Sequence, residues 1–452
     1  MTTLETELPS KRSLSVTRHH RVSRARISFG SIGWWLFVAL WLITFTEFSA
    51  DYAVFMGTSY WGGDIAVPEL RHQIQLVSTV LIGVLALLGG LALLQGRTVF
   101  RAAPEIKLFL LFFTASILWG ALIGWLKEVP PNYIIGDSRN LVLYLILFAV
   151  GGAAAEQRIE TFRRLFLIGC GILLLKLFYS FAANFASGEA VCWRSLLKLS
   201  CFFAPMLFIA LGGVLYSKRV AQRRKNTLLA FLAAFGIFAA QARGFFLGTL
   251  AGALLFVVML LKHRRFYLLI ILAIVILGIG LGTGVVLQSD ITKSFGYWKG
   301  TEIFEGGMEY RIRQADMLLT RFDNNWVEGT GLGSFDPDYE GYADWQPRPY
   351  LYELEYLNLL AKLGVVGISL WLAAFFFLFV GCLRAVRKAV KPEHRGFVLG
   401  LTAGLVALMV GSFVQTGYSS VSFHLYIVLM LLVLSALRSP QLAVPPPGAQ
   451  AQ

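Results

Sequence analysis

The sequence predicts an all-α polytopic membrane protein, with about twelve transmembrane helices and one large extracytoplasmic loop that contains short helices. Three observations lead there. Hydrophobic residues make up 57% of the 452 and charged residues only 15%, so most of the chain has lipid for a solvent. Apolar runs of about 20 residues, the length that crosses a hydrocarbon core, recur along the chain. Lys and Arg gather in alternate connections, which is the pattern that sets orientation in a bilayer. A cytosolic enzyme is thereby excluded. The net charge of +14, from 40 Lys+Arg against 26 Asp+Glu, does not call for a nucleic-acid partner, because basic loops facing anionic headgroups account for it.

In chain order, residues 1–31 form a basic segment bearing Lys11, Arg12, Arg18, Arg21, Arg24 and Arg26. The first span, 32–50, is expected to remain as an anchor. Its basic leader is long, and bulky Phe48 stands where a cleavage site needs a small residue. Further spans are expected at 75–94, 106–126, 139–155, 165–184, 199–216, 227–240, 245–261 and 266–287, completing nine helices over 32–287. Three more, at 364–382, 396–414 and 423–437, lie within 364–437. The tail 438–452, with Pro445-Pro446-Pro447, reads as a disordered linker. Most of the 40 Lys and Arg fall in connections on the side of the N-terminus, for example Arg158, Arg163, Arg164, Arg223, Arg224, Lys225, Arg387 and Lys388. Both termini are therefore expected in the cytoplasm.

The segment 288–363 differs from every other connection, being long, polar, Gly-rich and Trp-bearing, and it is expected outside the cytoplasm. Within it, Tyr310, Ile312, Met317, Leu318 and Phe322 recur at helical spacing between Gly306-Gly307 and Asn324-Asn325, predicting an amphipathic surface helix. A second helix is predicted from Tyr350 to Leu363, leading into the tenth span. Cys192 and Cys201 are the one pair spaced so that a disulfide is feasible in an oxidising compartment.

Several residues have the chemistry for a site. Arg243 sits in a very short turn between two spans, an expensive position unless the charge is used; a guanidinium there either snorkels to headgroups or clamps an anion such as phosphate. Arg311 and Arg313 lie two positions apart on the loop helix, on different faces, so at most one points into a shared cavity. Glu353 and Glu355 precede a span in a place where loss of water raises a carboxylate's proton affinity, which suits a general base. Lys176, inside a span, reaches a phosphate or pairs with an internal carboxylate. Glu47 and Asp51 are acidic partners for such cations or a separate carboxylate site. Asp336-Pro337-Asp338 has a metal-like spacing but reads more simply as a turn, and no metal or other cofactor is expected.

Three stretches carry a family resemblance. Gln241-Ala242-Arg243-Gly244, opening a span, resembles the Ser-Arg-Gly signature of the O-antigen ligase and polymerase family. Gly329-Thr330-Gly331-Leu332-Gly333-Ser334-Phe335 is similar to that family's Gly-x-Gly-x-x-x-Phe segment. Tyr356-Leu357 through Leu363-Gly364-Val365-Val366-Gly367 resembles its closing Tyr-Leu…Gly-x-x-Gly stretch. The resemblance implies a GT-C-like, inverting, metal-independent glycosyltransferase. Its donor is an undecaprenyl-diphosphate-linked oligosaccharide at the outer face of a bacterial inner membrane. It also implies membrane lipid, a chain-length regulator and a flippase as partners. Carried onto this sequence, it assigns Arg243 and one of Arg311 or Arg313 to the diphosphate and Glu353 to catalysis, with Lys176 and Glu355 added as further candidates from their own positions. Residue type alone suggests Trp298, Trp326, Trp345 and Tyr352 as platforms for sugar rings. Where ligases carry a His-Asn pair this chain has Glu353-Leu354, which favours a polysaccharide polymerase over a ligase acting on lipid A core or protein. A lipid-linked glycan transporter is the alternative of another class, disfavoured because no matched pair of broken spans is present.

Overall fold

The protein is described here by a computed structural model that covers residues 29–46, 67–95, 103–187, 201–240, 243–261, 301–335, 354–389, 391–413 and 421–437. Among these residues there are thirteen helices and no strand. They are α1 Phe29–Thr46, α2 Val67–Leu94, α3 Pro104–Leu126, α4 Pro131–Ser138, α5 Asn140–Glu156, α6 Ile159–Ser187 and α7 Phe203–Tyr216. After these come α8 Val220–Ala240, α9 Arg243–Leu261, α10 Thr301–Asn324, α11 Glu355–Lys388, α12 Pro392–Gly411 and α13 Val421–Ala436. Pro104, Pro131 and Pro392 each open a helix at its first position, where the missing N–H costs no hydrogen bond.

Several apolar helices make this a membrane protein. Four of the described helices are long and apolar enough to cross a bilayer: the Leu76–Leu94 part of α2, then α3, α11 and α12. The number rises to five if α4 and the first part of α5, bent by 47° at their junction, count as one broken span. The expected twelve spans are therefore not established by the length and composition of the described helices. Ser31–Phe45, Phe203–Tyr216, Phe246–Leu260 and Val421–Ala436 are apolar but shorter, and the expected ninth span, 266–287, falls outside the described residues.

Packing follows residue size. α13 is buried on nearly every side, with Tyr426, Ile427, Val428 and Leu429 at its middle fully enclosed. α12 is held between α7 and α9. Gly212 of α7 lies against the backbone of Gly396, and Gly248 and Gly252 of α9 lie against Ala407 and Ala403. Small residues at such crossings let helix backbones approach closely where no hydrophobic effect drives association. α3 packs along α11, and α5 is surrounded by α1, α2 and α13.

Two expectations about the loop change. Gly306-Gly307 does not start the amphipathic helix but lies inside α10, which begins at Thr301; a cost of about 1 kcal/mol per glycine is small against the burial of the later turns on α11. The helix predicted at 350–363 and the tenth span form one element, α11, broken at Gly364, where φ is 61° and ψ −173°. Cys201 is buried, while Cys192 lies outside the described residues.

Candidate functional site: a glycine loop wedged into a broken helix

In an unbroken helix Val365 and Val366 would donate to the carbonyls of Ala361 and Lys362, four residues back. The turn at Gly364 removes both bonds and the connection after α10 replaces them. Val365 N–H donates to the Trp326 carbonyl at 2.8 Å and Val366 N–H to that of Val327 at 3.2 Å. In return the Ala361 carbonyl accepts from Thr330 N–H at 2.8 Å and the Lys362 carbonyl from Gly331 N–H at 2.9 Å. The loop then reaches across to α3, where Leu332 N–H donates to the Gly120 carbonyl at 2.8 Å. Gly331 requires its residue type twice over. Its φ is +87°, and a Cβ there would run into the backbone of Gly124.

Side chains lock the wedge. Asp137 of α4 accepts from both the Lys362 ammonium, at 2.6 Å, and Gly333 N–H, at 2.7 Å, so one carboxylate ties the loop to α11. Lys362 is only 2% exposed. Arg321, near the end of α10, donates to the hydroxyls of Ser334 at 2.9 Å and Thr330 at 3.2 Å. Lys127, just past α3, binds the Gly329 carbonyl at 2.8 Å, Glu328 at 3.4 Å and Asn325. A backbone hydrogen bond to the Glu328 carboxylate, followed by the Lys127 charge, holds that carboxyl below the ordinary glutamate range against the opposing loss of water. The Phe335 ring packs edge-on to Tyr133 with centroids 5.1 Å apart.

The same junction fixes the start of α11. Gln314, fully buried on α10, accepts from Leu354 N–H at 3.0 Å and so satisfies a donor at the N-terminal end of α11. Glu355 follows directly and is 4% exposed. The Tyr356 hydroxyl donates to the Met409 carbonyl of α12 at 2.6 Å, and its ring packs on Phe413 and Trp371. α9 lies along this end of α12, with Gly248 against Ala407 and Gly411. Arg243, the first residue of α9, stands five positions earlier, roughly 7.5 Å further toward the end that holds Tyr356.

Arg311 and Arg313 are distinguished by their helix face. Arg311 is half-buried and, at spacings of three and seven, shares a face with Gln314 and Leu318, both buried against the start of α11. Arg313 is exposed. Lys176 is buried in α6 and donates to the Phe45 carbonyl, near the C-terminal end of α1, at 3.2 Å. Trp326 is exposed at the turn. Glu353, Tyr352, Trp298 and Trp345 lie outside the described residues, as do Glu47, Asp51, Asp336 and Asp338.

Asp137, Lys362, Arg321 and Lys127 escaped the reading of the sequence. Lys362 had a usable signal, since it interrupts the apolar run Leu359-Leu360-Ala361-Lys362-Leu363 much as Lys176 interrupts its own. Asp137 had none, because its partners lie 196 and 225 positions away.

Residues 228–372, from within α8 through the break in α11, match the O-antigen ligase family. No curated protein matches the chain. The O-antigen ligase family is one of glycosyltransferase-like membrane enzymes, consistent with glycan transfer of the ligase or polymerase type. The matched stretch holds the start of α9, the wedge and the kink, and α3 and α4 outside it supply the surfaces on which the wedge is seated.

Proposed function

We propose that the protein is a bacterial inner-membrane polysaccharide polymerase. It transfers a glycan from undecaprenyl diphosphate to an acceptor hydroxyl on another lipid-linked repeat unit, with inversion at the anomeric carbon. The observation that carries this reading is the docking of α10 on the start of α11. There the face of α10 that carries Arg311 and the buried Gln314 meets the start of α11 at Leu354, next to Glu355, and α9, which begins with Arg243, lies along α12 at the same end of the bundle. Both termini lie on the cytoplasmic side, and this junction opens to the periplasm.

The chemistry follows from the residue types. The acceptor oxygen forms a bond to the anomeric carbon as the bond from that carbon to the diphosphate oxygen breaks. Glu353 or Glu355 accepts the hydroxyl proton. Arg243 and Arg311 stabilise the charge that builds on the departing diphosphate, a task guanidinium performs with bidentate geometry. Trp298, Trp345 and Tyr352 hold sugar rings. Arg321, Lys362 and Asp137 keep the wedge in place, so that α10 and α11 present these groups in a fixed relation.

The decisive experiment supplies purified protein with lipid-linked single repeats and no other acceptor. Longer lipid-linked chains are the expected product. Product that appears only after lipid A core or a protein acceptor is added overturns the polymerase reading in favour of ligation. Glu353→Gln and Glu355→Gln are compared in the same assay. One of the two is expected to lose about 100-fold or more in turnover while still binding the lipid diphosphate.

A further inference from the structure

The turn at 325–332 has properties that a loop surrounded by water does not require. The first is depth. Its bond to the Gly120 carbonyl sets it beside α3 six residues before that helix ends at Leu126, roughly 9 Å along the axis of a helix able to cross the bilayer. The second is closure of its backbone. The N–H groups of Gly329, Thr330, Gly331 and Leu332 all donate to protein carbonyls, and the carbonyls of Trp326, Val327 and Glu328 all accept from protein N–H groups. In water such groups need no protein partner, whereas in hydrocarbon each unsatisfied one costs several kcal/mol.

The third property is the exposed edge. Trp326 is 58% exposed and Val327 is exposed beside it. Their carbonyls bond to Val365 and Val366, which are exposed too and open the apolar run of α11. At the adjoining end of α3, Trp125 is 68% exposed and Leu126 similarly so. Of the charges near this edge, Lys127 and Glu328 are paired with each other, and Glu128 and Asp323 extend toward water. A tryptophan pair with a lysine at the end of a span is the pattern of residues anchored between headgroups and acyl chains.

We propose that the turn 325–332 is a re-entrant element of the membrane interface, with the Trp326–Val327 edge immersed in the lipid of the leaflet at that end of the bundle. The occupant of the edge is the boundary between headgroups and acyl chains, continuous with the lipid around α3 and α11. Trp326 is then a lipid contact and not a platform for sugar. The glycine wedge and the start of α11 consequently sit at the level of the bilayer rim. The inference does not rest on the proposed polymerase reaction.

The test compares the full chain with Trp326→Phe, both reconstituted in phospholipid vesicles, and takes the difference in fluorescence as the Trp326 signal. Phospholipid brominated on the acyl chain near the headgroup is expected to remove most of that signal, and acrylamide in the water to leave it nearly intact. Strong quenching by acrylamide with none by brominated lipid overturns the proposal. Insensitivity to both also overturns it, because protein would then cover the edge. Val327→Trp in the Trp326→Phe background supplies a second probe one position on, expected to restore a signal quenched by brominated lipid.

Discussion

The two ends of the helix bundle use the same kind of ion pair to different effect. At the end holding the glycine wedge, Asp137 joins Lys362 and also accepts from the backbone of Gly333, so the pair organises a loop with three left-handed glycines and a broken helix. At the other end, Glu105 of α3 pairs with Arg384 of α11, and Glu160 of α6 accepts from His394 of α12 at 2.9 Å. Those pairs join the ends of regular helices and shape no backbone. A charge pair near one end of a bundle thus acts as a clip unless it also engages main chain. When it does, removing it disturbs a loop and not merely a helix crossing.

The largest effect is expected from Gly331→Ala. A φ of +87° costs a non-glycine residue about 1–2 kcal/mol, and the new Cβ meets the backbone of Gly124. The wedge should leave α3, with a loss of more than about 3 kcal/mol in stability and of glycan transfer, read by thermal unfolding in detergent and by the elongation assay. A variant that keeps native stability and turnover would show that the wedge is not a structural determinant.

Next in size is Asp137→Ala, which strands the buried Lys362 ammonium and should cost about 3 kcal/mol. The double variant Asp137→Leu/Lys362→Met removes both charges and should recover stability without recovering transfer, because Gly333 N–H still lacks its acceptor. Full recovery of transfer in the double variant would reduce this pair to a clip like those at the opposite end.

The smallest effect belongs to Glu160. Burial alone would raise its pKa, but the hydrogen bond from His394, a backbone hydrogen bond and the nearby Lys391 charge outweigh it, and the carboxyl titrates below the ordinary glutamate range. A carboxylate depressed in the folded state adds stability above its unfolded pKa, and that stability is lost as pH falls through the folded value. Acidification through and below the usual glutamate range should therefore cost the native protein less than about 1 kcal/mol, the Glu160 side chain being partly exposed. Glu160→Gln should abolish that part of the pH dependence in unfolding curves and leave transfer unchanged.

Much of the helical framework was legible because lipid imposes a strong, local demand: apolar runs mark α3, α5 and α12 to within a few residues, and the basic connections between them are equally plain. The loop helix was legible from its period, apart from its start. The kink was not, since Gly364 in an apolar run reads as an ordinary residue of a span until a turn from elsewhere supplies its missing bonds. Likewise Arg311 and Arg313 were equivalent by spacing, and only the docking of Gln314 on Leu354 separated their faces.

Composition and hydropathy by themselves determined that this chain is a helical membrane protein, and three short motifs carried its resemblance to the O-antigen ligase family, because burial in lipid and backbone turns constrain residue type locally. Tertiary structure alone decided that two of those motifs are halves of one device. The turn 326–331 and the residues on either side of Gly364 exchange backbone hydrogen bonds more than thirty positions apart, and Asp137 seals the exchange from a separate helix. Contacts at that range depend on how helices cross, which no local pattern of residues encodes.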